Sequence, residues 1–262
     1  MKITEILNID KNSIVSIVGA GGKTSLMFQL AEELRSKGRV LVTTTTKIYV
    51  PEKGQYDYLV VGEDGINCSL KNKKESTSVS SKAAEVKPTG IWIYGEEINE
   101  DNKLTAVSEE KLGELINFFD YVLIEADGSK GKPLKGWRED EPVISNHTTC
   151  TIGILSGKAL GMDIKEENIH RVNRFLGEAK GTVTEEDLVK VIFNPKGMFN
   201  HSMGKKVLCI NQIDDDMAYK RNFDLISGII NKNWKNKLLD EVIIGSIKNR
   251  KYFDMDLGGQ DG

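Results

Sequence analysis

Apolar residues follow two alternating patterns along the chain, short continuous runs and repeats at helical spacing. The first run, 14–18, has the length and β-branched composition of a buried strand. Apolar residues then recur at helical spacing from Leu26 to Leu34, and Gly38 is placed to end that helix. The next run, 39–46, predicts a second strand, so residues 14–46 are expected to form a β-loop-α-β unit with neighbouring parallel strands.

The same alternation continues along the rest of the chain. Further strands are predicted at 58–62, 91–95, 121–128, 148–155, 206–211 and 241–245. Helices are predicted at 108–119, with Ser108 as the N-cap, and near 217–232, and Thr184 and Asp187 have the spacing of a capping box. This order is typical of an α/β doubly wound fold with a mostly parallel sheet and flanking helices, in which ligands bind at the carboxyl ends of the strands.

The chain of 262 residues is interpreted as a single domain, 1–262, with three segments that depart from the alternating pattern. Residues 69–82 are polar and rich in Ser and Lys, which predicts a mobile surface loop. Residues 163–203 are predicted to be a mostly helical insertion. The tail, 254–262, is rich in Gly and Asp and is predicted to be frayed.

Composition excludes several classes of protein. A content of 39% hydrophobic and 29% charged residues is ordinary for a soluble globular protein, and no apolar run approaches the roughly 20 residues of a membrane span. The net charge of -3 argues against nucleic-acid binding. The first ten residues lack the apolar region of a signal peptide, and the three cysteines are widely spaced, so a cytoplasmic protein with reduced thiols is expected.

The sequence between the first strand and the first long helix has the order of a phosphate-binding loop. It is shorter than G-x-x-x-x-G-K-[ST], whose first glycine would fall at position 17, where Ile17 stands. Three glycines still allow backbone amides to face an anion, and the helix that follows adds its positive end. The residues assigned to nucleotide binding are Gly19, Ala20, Gly21, Gly22, Lys23, Thr24 and Ser25.

Within this loop, Lys23 is expected to neutralise the β- and γ-phosphates and Thr24 to ligate Mg²⁺. Two alternatives stay open. The dinucleotide pattern G-x-G-x-x-G would need a glycine where Thr24 stands, and a plain glycine turn would leave Lys23 exposed.

A strongly apolar predicted strand ends in two acidic residues, Glu125 and Asp127. Because side chains alternate along a strand, both carboxylates are expected to face the same site, with Ala126 pointing away. Together with Lys23 they are the predicted catalytic residues. Asp127 is the stronger candidate for holding Mg²⁺, and Glu125 for orienting a hydrolytic water. The alternative is that both acids only cap the following loop.

Basic residues follow the acidic pair. Lys130, Lys132 and Lys135 lie among glycines and are predicted to form a cationic loop that grips a second anionic substrate or partner, or closes over the nucleotide. A solvated basic turn is the alternative. The pair His170-Arg171 is interpreted as part of a helical surface, with a catalytic or phosphate contact as the alternative.

Two further strand ends carry candidate nucleotide contacts. Of the threonines at 43–46, which end the second strand, Thr45 is assigned to the nucleotide; strand propensity alone would also explain them. The segment N-Q-I-D, 211–214, resembles the guanine-reading pattern N-K-x-D. Asp214 would accept hydrogen bonds from the base, Asn211 would contact the phosphate loop, and Ser246 would lie in a second base loop. The alternative is an Asx turn after a strand.

Five segments occur here in the order found in the YqeC-type selenium-dependent hydroxylase accessory proteins: IVGAGGKTS, VLVTTTTKI, VLIEADGSKGKPLK, IHRVNRF and INQID. The chain resembles this family over nearly its whole length, and the third segment is the most specific. The resemblance implies a P-loop NTPase-like fold and a cytosolic role in the maturation of selenium-dependent molybdenum hydroxylases. A hydroxylase client or a cofactor-maturation protein would then be the partner.

A looser similarity links the chain to the maturation GTPases of nickel and cobalamin enzymes. These join a phosphate loop to a strand ending in E-x-x-G and then to N-K-x-D, which corresponds here to residues 125–128 and 211–214, with Gln212 as a departure.

The expected function is therefore that of a Mg²⁺-dependent NTPase, with Mg²⁺ and GTP or ATP as cofactors and GTP slightly favoured. Neither nucleic acid nor a membrane is expected as a partner. Two alternatives remain: an enzyme that transfers phosphoryl or nucleotidyl groups to a small molecule, and a non-hydrolysing nucleotide sensor that docks partners.

Overall fold

The computed structural model describes residues 2–62, 89–175 and 181–255. The strands are β1 (Ser13–Gly19), β2 (Arg39–Thr44), β3 (Lys47–Tyr49), β4 (Tyr58–Val61), β5 (Gly90–Gly95), β6 (Lys103–Thr105), β7 (Tyr121–Glu125), β8 (Leu134–Lys135), β9 (Cys150–Ser156), β10 (Ile169–His170), β11 (Lys205–Asn211), β12 (Glu241–Ser246) and β13 (Lys251–Met255). The α-helices are α1 (Ile3–Ile6), α2 (Lys23–Leu34), α3 (Glu109–Leu115), α4 (Glu185–Phe193), α5 (Asp216–Arg221) and α6 (Phe223–Asn236).

Nine strands form one sheet in the order β13-β12-β11-β9-β1-β7-β2-β5-β4. Neighbouring strands are parallel throughout, except that β13 runs antiparallel to β12. This confirms the predicted α/β fold with a mostly parallel sheet. Because β1 lies between β7 and β9, and β11 follows β9, the carboxyl ends of these four strands meet at one edge of the sheet.

Both faces of the sheet are buried, which explains the continuous apolar runs of its strands. Side chains of β1 alternate between two cores: Ile14 and Val18 belong to one, and Val15 and Ile17 to the other. Helix α2 contributes Leu26, Met27, Leu30 and Leu34 to the second core. Helices α4 and α6 cover the opposite face, where Leu188, Val191, Ile192, Leu225, Ile226 and Ile229 are buried. The apolar spacing seen in the sequence therefore places helices on both faces.

Helix boundaries follow the predicted caps. The Ser108 side chain accepts a hydrogen bond from the Lys111 amide at 3.2 Å, and Thr184 and Asp187 form the predicted capping box. The predicted helix near 217–232 is two helices, α5 and α6. They are separated at Asn222, whose non-helical backbone and side-chain bond to the Ala218 carbonyl interrupt the repeat.

The segment 163–203 contains less helix than predicted. Among its described residues, α4 is the α-helix, accompanied by a 3₁₀ turn at Val172–Arg174 and by strand β10. Strand β10 pairs with β8, and Arg171 after it is left-handed with φ of 56°, so a helix cannot continue through this point. Helix α4 ends at Asn194, which is extended because Pro195 follows.

Two predicted segments lie wholly or mainly outside the described residues. The polar loop predicted at 69–82 falls entirely there. Of the tail predicted at 254–262, Asp254 and Met255 belong to β13, and the remainder is not among the described residues. In the described part of the chain, every helix is too short or too polar to cross a bilayer.

Candidate functional site

The loop after β1 needs its glycines for two separate reasons. Gly19 and Gly21 each have φ of 94°, a conformation that costs other residues conformational energy. A Cβ atom on Gly19 would also lie 2.3 Å from the Ile154 carbonyl oxygen, and one on Gly21 would lie 2.6 Å from the Ser156 Cβ. The loop therefore packs directly against the end of β9, and side chains are excluded by both backbone conformation and contact.

Backbone amides of this loop are available to an anion. Among the described residues, the amides from Gly21 to Ser25 donate to no protein acceptor, since they precede or open helix α2 and Gly22 at its N-cap has no side chain. Ala20 differs, because its amide donates to the Ile154 carbonyl at 3.0 Å. The free amides and the positive end of a 12-residue helix make this loop suited to a phosphate group.

Asp127 is the hub of the site and is fully buried. Its Oδ2 accepts hydrogen bonds from the Gly19 amide at 3.1 Å and from the Trp137 indole at 3.0 Å, and it lies 3.1 Å from Lys135 Nζ. Its Oδ1 lies 3.3 Å from Lys23 Nζ and has no hydrogen bond within the described residues. Burial alone would raise the pKa of Asp127, but the two lysines and the Gly19 amide outweigh it and lower the pKa below its ordinary value.

Lys23 lies beneath the loop and is buried. Its Nζ donates to the Gly19 carbonyl at 2.8 Å and to Ser129 Oγ at 3.3 Å, and it lies 3.9 Å from a Glu125 oxygen. The alternative of a plain glycine turn with an exposed lysine is therefore wrong. The ammonium is held where the loop amides and the two carboxylates converge.

Glu125 and Asp127 face the same site, as the alternation along the strand predicts, but their surroundings differ. Thr24 Oγ1 donates to Glu125 Oε2 at 2.7 Å. Burial raises the pKa of Glu125, although Lys23 and the Thr24 hydroxyl oppose that shift. The acids therefore have opposite tendencies, since Asp127 is stabilised as an anion and Glu125 takes up a proton more readily than an exposed glutamate.

The donor atoms fit Mg²⁺ on the Thr24 side of the site. The Thr24 hydroxyl and the Glu125 carboxylate are adjacent hard oxygen ligands, and Mg²⁺ characteristically takes one or two protein oxygens plus water and phosphate. The described residues contain no group of three or more His, Cys, Asp or Glu side chains suited to a metal. Asp127, predicted as the stronger metal ligand, fits less well because it is fully buried and engaged by two lysines.

The buried charges continue away from the loop. Lys135 lies between Asp127 and Glu141, with its Nζ 3.3 Å from Glu141 Oε2 and donating to the Gly128 carbonyl at 2.9 Å. Glu141 in turn lies 2.5 Å from the Arg171 guanidinium. Carboxylates and cations therefore alternate from Lys23 to Arg171. Each buried charge has an opposite neighbour, which buried ions require.

The three lysines after the acidic pair do not form one cationic loop. Lys130 is exposed, Lys132 donates to the Glu166 carbonyl, and Lys135 is buried in the ion-pair series. The prediction that all three present charge to a second anion is wrong for Lys135, because its charge is neutralised by Asp127 and Glu141.

The region around His170 is also different from the sequence expectation. His170 and Arg171 were expected on a helical surface, but His170 is a buried residue of β10. Burial, and then the neighbouring cations, lower the pKa of His170 to about 4, so the imidazole is neutral at ordinary pH.

The N-Q-I-D segment after β11 reaches the phosphate loop. Asn211 Nδ2 donates to the Gly21 carbonyl at 2.8 Å, which is the contact expected of it, and Asn211 Oδ1 accepts the Ile247 amide at 2.9 Å. Ser246 Oγ donates to Asp214 Oδ1 at 2.7 Å. The Ser246 hydroxyl and Lys158, whose Nζ lies 3.1 Å from Asp214 Oδ2, lower the pKa of Asp214.

The Thr45 hydroxyl is committed to the protein. It donates to the Val143 carbonyl at 2.6 Å, while its amide donates to the Glu125 carbonyl at 3.2 Å. Thr45 thus lies next to the acidic strand end, and its side chain holds the neighbouring loop.

Four residues of the site were not assigned from the sequence: Trp137, Glu141, Ser129 and Lys158. Trp137 and Glu141 follow the acidic strand within 16 residues of Glu125, but no spacing rule marks them. The tight association of Asp127 with Trp137 and Lys135 depends on the turn from β7 into β8. In the sequence, Trp137 and Glu141 are marked as site residues only by their proximity to the acidic strand.

Comparison with known proteins places these residues in a family. A family model described as YqeC protein matches residues 15–173, which include the phosphate loop, the acidic pair and Arg171. The uncharacterized protein YqeC of Escherichia coli (strain K12) is 33% identical over 196 residues, covering 72% of this chain and 71% of that protein. The N-Q-I-D segment lies beyond the end of the family-model match.

We predict that Asp127→Asn destabilises the protein, because it leaves Lys23 and Lys135 buried without their shared anion. Breaking a buried ion pair costs about 3–5 kcal/mol, so the melting temperature should fall by at least roughly 6 °C at neutral pH. Folding lowers the pKa of Asp127, so ionised Asp127 increases the free energy of unfolding above pH about 3.9, the pKa of an aspartate in the unfolded chain. This stabilisation is lost as the pH falls through the lower pKa that Asp127 has in the folded protein.

Thermal denaturation monitored by circular dichroism at several pH values measures this difference. Asp140→Asn is the matched control, because Asp140 is exposed and its ion pair with Arg138 lies at the surface; its melting temperature should stay at the wild-type value. If Asp127→Asn has the melting temperature of the wild type, then Asp127 is not needed as the shared anion of Lys23 and Lys135.

Proposed function

The chain belongs to the YqeC protein family, and we propose that it is a Mg²⁺-dependent nucleoside triphosphatase that binds phosphate through residues 19–25. One observation carries this proposal: Lys23 Nζ donates to the Gly19 carbonyl of a loop whose Gly21–Ser25 amides are free within the described residues, and it lies 3.3 Å from Asp127 and 3.9 Å from Glu125. Amides and a lysine neutralise phosphate charge, and the adjacent carboxylate and hydroxyl oxygens suit Mg²⁺.

Each residue has a separate role in the proposed reaction. The loop amides donate to phosphate oxygens, and Lys23, which now donates to the Gly19 carbonyl, reaches the β- and γ-phosphates. Thr24 and Glu125 would hold Mg²⁺, directly or through water, and the ion would supply positive charge to the phosphates. Asp127 fixes Lys23 and the Gly19 amide instead of holding the metal, because its own oxygens face two lysines.

We propose GTP as the preferred nucleotide. Asp214 stands at the end of β11 with its pKa lowered, so it is a carboxylate acceptor at neutral pH. The guanine edge presents N1–H and a 2-amino group to such an acceptor, whereas adenine presents a lone pair at N1. Adenine facing a fully buried carboxylate would cost up to several kcal/mol of binding free energy. The cost is smaller here, because Asp214 is partly exposed.

The biological role that we propose comes from the family resemblance. In that role, a cytoplasmic nucleotide cycle gates the delivery or modification of the cofactor of a selenium-dependent molybdenum hydroxylase, and the hydroxylase or a cofactor-maturation protein is the partner. The exposed Lys130, next to Ser129 at the mouth of the phosphate site, is available for such a contact.

Nucleotide binding is tested first by thermal shift. At 100 times the dissociation constant, Mg-GTP should stabilise the wild type by about 2.7 kcal/mol, which corresponds to roughly 5–10 °C. Lys23→Ala should lose most of this increment. Because Lys23 is buried and paired with Asp127, the unliganded variant should also melt below the wild type, so increments and not absolute temperatures are compared.

Lys37→Ala is the matched control for this experiment. Lys37 is exposed in the turn after α2, at the opposite edge of the sheet from the phosphate loop, and its increment should equal that of the wild type. If Mg-GTP raises the melting temperature of Lys23→Ala as much as that of the wild type, residues 19–25 are not the phosphate site.

Hydrolysis is tested with Glu125→Gln, which keeps the size of the side chain and removes its charge. Phosphate release from GTP should fall by at least about 10²-fold, the scale of a lost catalytic group. Glu110→Gln on the exposed face of α3 is the control and should retain wild-type turnover.

The same assay separates the alternatives. Nucleotide binding without turnover in the wild type would favour a sensor that docks partners. Transfer of labelled γ-phosphate to a small molecule would favour a transferase.

The family role is tested in cells. Deleting the gene should lower the activity of a selenium-dependent molybdenum hydroxylase in the same organism without lowering the amount of hydroxylase polypeptide. Wild-type protein should restore the activity, and Glu125→Gln should not. Normal hydroxylase activity after the deletion would refute the proposed client.

A further inference from the structure

The segment N-Q-I-D has a glutamine where guanine-reading loops of this pattern carry a lysine, and a lysine from another loop, Lys158, contacts the aspartate of this segment. We propose that Lys158, in the turn after β9, is a specificity-determining residue of the base site. In this proposal its side chain covers the guanine and holds the Asp214 carboxylate for the base edge. The inference rests on the proposed nucleotide function and names the residue that decides which nucleotide binds.

Strand order explains how Lys158 arrives there. Strand β9 lies between β1 and β11, so the turn that follows β9 lies between the phosphate loop and the N-Q-I-D segment. On one side, Ser156 fills the space beside Gly21. On the other side, the Gly157 amide donates to the Asn211 carbonyl at 2.8 Å. Lys158 therefore starts from a backbone that is tied to both halves of the nucleotide site.

Gln212 cannot serve in this role because its side chain is already bonded elsewhere. Its backbone is left-handed with φ of 67°, and its Oε1 accepts a hydrogen bond from Ser156 Oγ. The Gln212 amide is thereby directed to the end of β9. The position that a lysine stem would take over the base is left to another side chain.

The contacts of Asp214 assign that side chain. Lys158 Nζ lies 3.1 Å from Asp214 Oδ2, and Ser246 donates to Oδ1. A carboxylate has about four lone-pair sites, so each Asp214 oxygen retains capacity for a guanine donor. The Lys158 side chain is 59% exposed and that of Asp214 is 30% exposed, so their ion pair contributes little to stability, and the ammonium can shift at small cost when a base enters.

The proposed ligand class follows from this arrangement. The ammonium and the Ser246 hydroxyl keep Asp214 ionised and fixed in direction, which favours the N1–H and 2-amino donors of guanine. The four-carbon stem of Lys158 supplies apolar and cation–π contact to the face of the base. Lys158 thus replaces, from a different strand, the lysine that the N-Q-I-D segment lacks.

Titration calorimetry with GTP, ITP and ATP in the presence of Mg²⁺ tests the inference. Lys158→Ala should weaken GTP binding by about tenfold, within the range of a lost cation–π contact, and should narrow the ratio of GTP to ATP affinity. Lys158→Arg keeps an aliphatic stem and a positive charge, so it should retain most of the GTP affinity and most of the preference for GTP over ATP. ITP lacks the 2-amino group, so the wild type should bind it more weakly than GTP.

Two controls make a loss interpretable. Lys235→Ala, on the exposed end of α6, removes an equivalent charge away from the site and should bind like the wild type. In Lys158→Ala/Gln212→Lys, a lysine stands at the usual place, and GTP affinity should recover at least in part. Unliganded melting temperatures of Lys158→Ala, Lys158→Arg and Lys235→Ala should match the wild type, because Lys158 and Lys235 are exposed.

The outcomes separate this inference from the proposed function. Wild-type protein that binds nucleotide while Lys158→Ala equals Lys235→Ala would overturn the role of Lys158 and leave the phosphate site standing. Tighter GTP binding by Lys158→Ala would also overturn it, since the lysine would then compete with the base for Asp214. Equal affinity of the wild type for GTP and ATP would show that Asp214 and Lys158 do not select guanine. Failure of the wild type to bind any nucleotide would overturn both proposals.

Discussion

The arrangement of the site depends on one fully buried carboxylate, Asp127, held between the ammonium groups of Lys23 and Lys135. An unpaired charge in this position would be strongly destabilising, so strand β7, helix α2 and strand β8 are held together by the need to keep the three groups in contact. The same carboxylate accepts the Gly19 amide and thereby fixes the first residue of the phosphate loop. A single buried anion therefore contacts both the start of the loop and the lysine that follows it.

The site has two parts that are built differently. The part around the glycine loop, which we propose as the phosphate side, is buried and made of alternating charges from Lys23 to Arg171, and it lies within the region that matches the YqeC family model. The side of Asp214 is more exposed, is held by the Ser246 hydroxyl and the Lys158 ammonium, and lies beyond that match. Asn211 joins the two parts by donating to the Gly21 carbonyl. Mutations on the phosphate side are therefore expected to affect folding and binding together, whereas mutations around Asp214 change binding alone.

Several features of the site could be predicted because they depend on local rules. Alternation along a strand places Glu125 and Asp127 on one side, and a glycine cluster before a helix leaves the first backbone amides of that helix without a side-chain cap. Thr24 and Glu125 illustrate the limit of these rules. The sequence predicts Thr24 and Asp127 as the Mg²⁺ ligands and Glu125 as the residue that orients a water, whereas the 2.7 Å contact of Thr24 with Glu125 favours Glu125 over Asp127 as the acid on the Thr24 side. Lys135 shows the same limit, since an exposed and a buried lysine have the same sequence pattern here.

The sequence by itself determined the α/β class, the parallel strands, the helix caps at Ser108 and Thr184, and the glycine loop before α2, because hydrophobic period, capping and glycine content act over a few neighbouring positions. Tertiary structure alone decided which distant groups meet. The burial of Lys135, the contact of Trp137 with Asp127, and the approach of Lys158 to Asp214 all depend on strand order and on turns between elements. Lys158 and Asp214 are 56 positions apart in the sequence, and no local pattern specifies a contact across that distance.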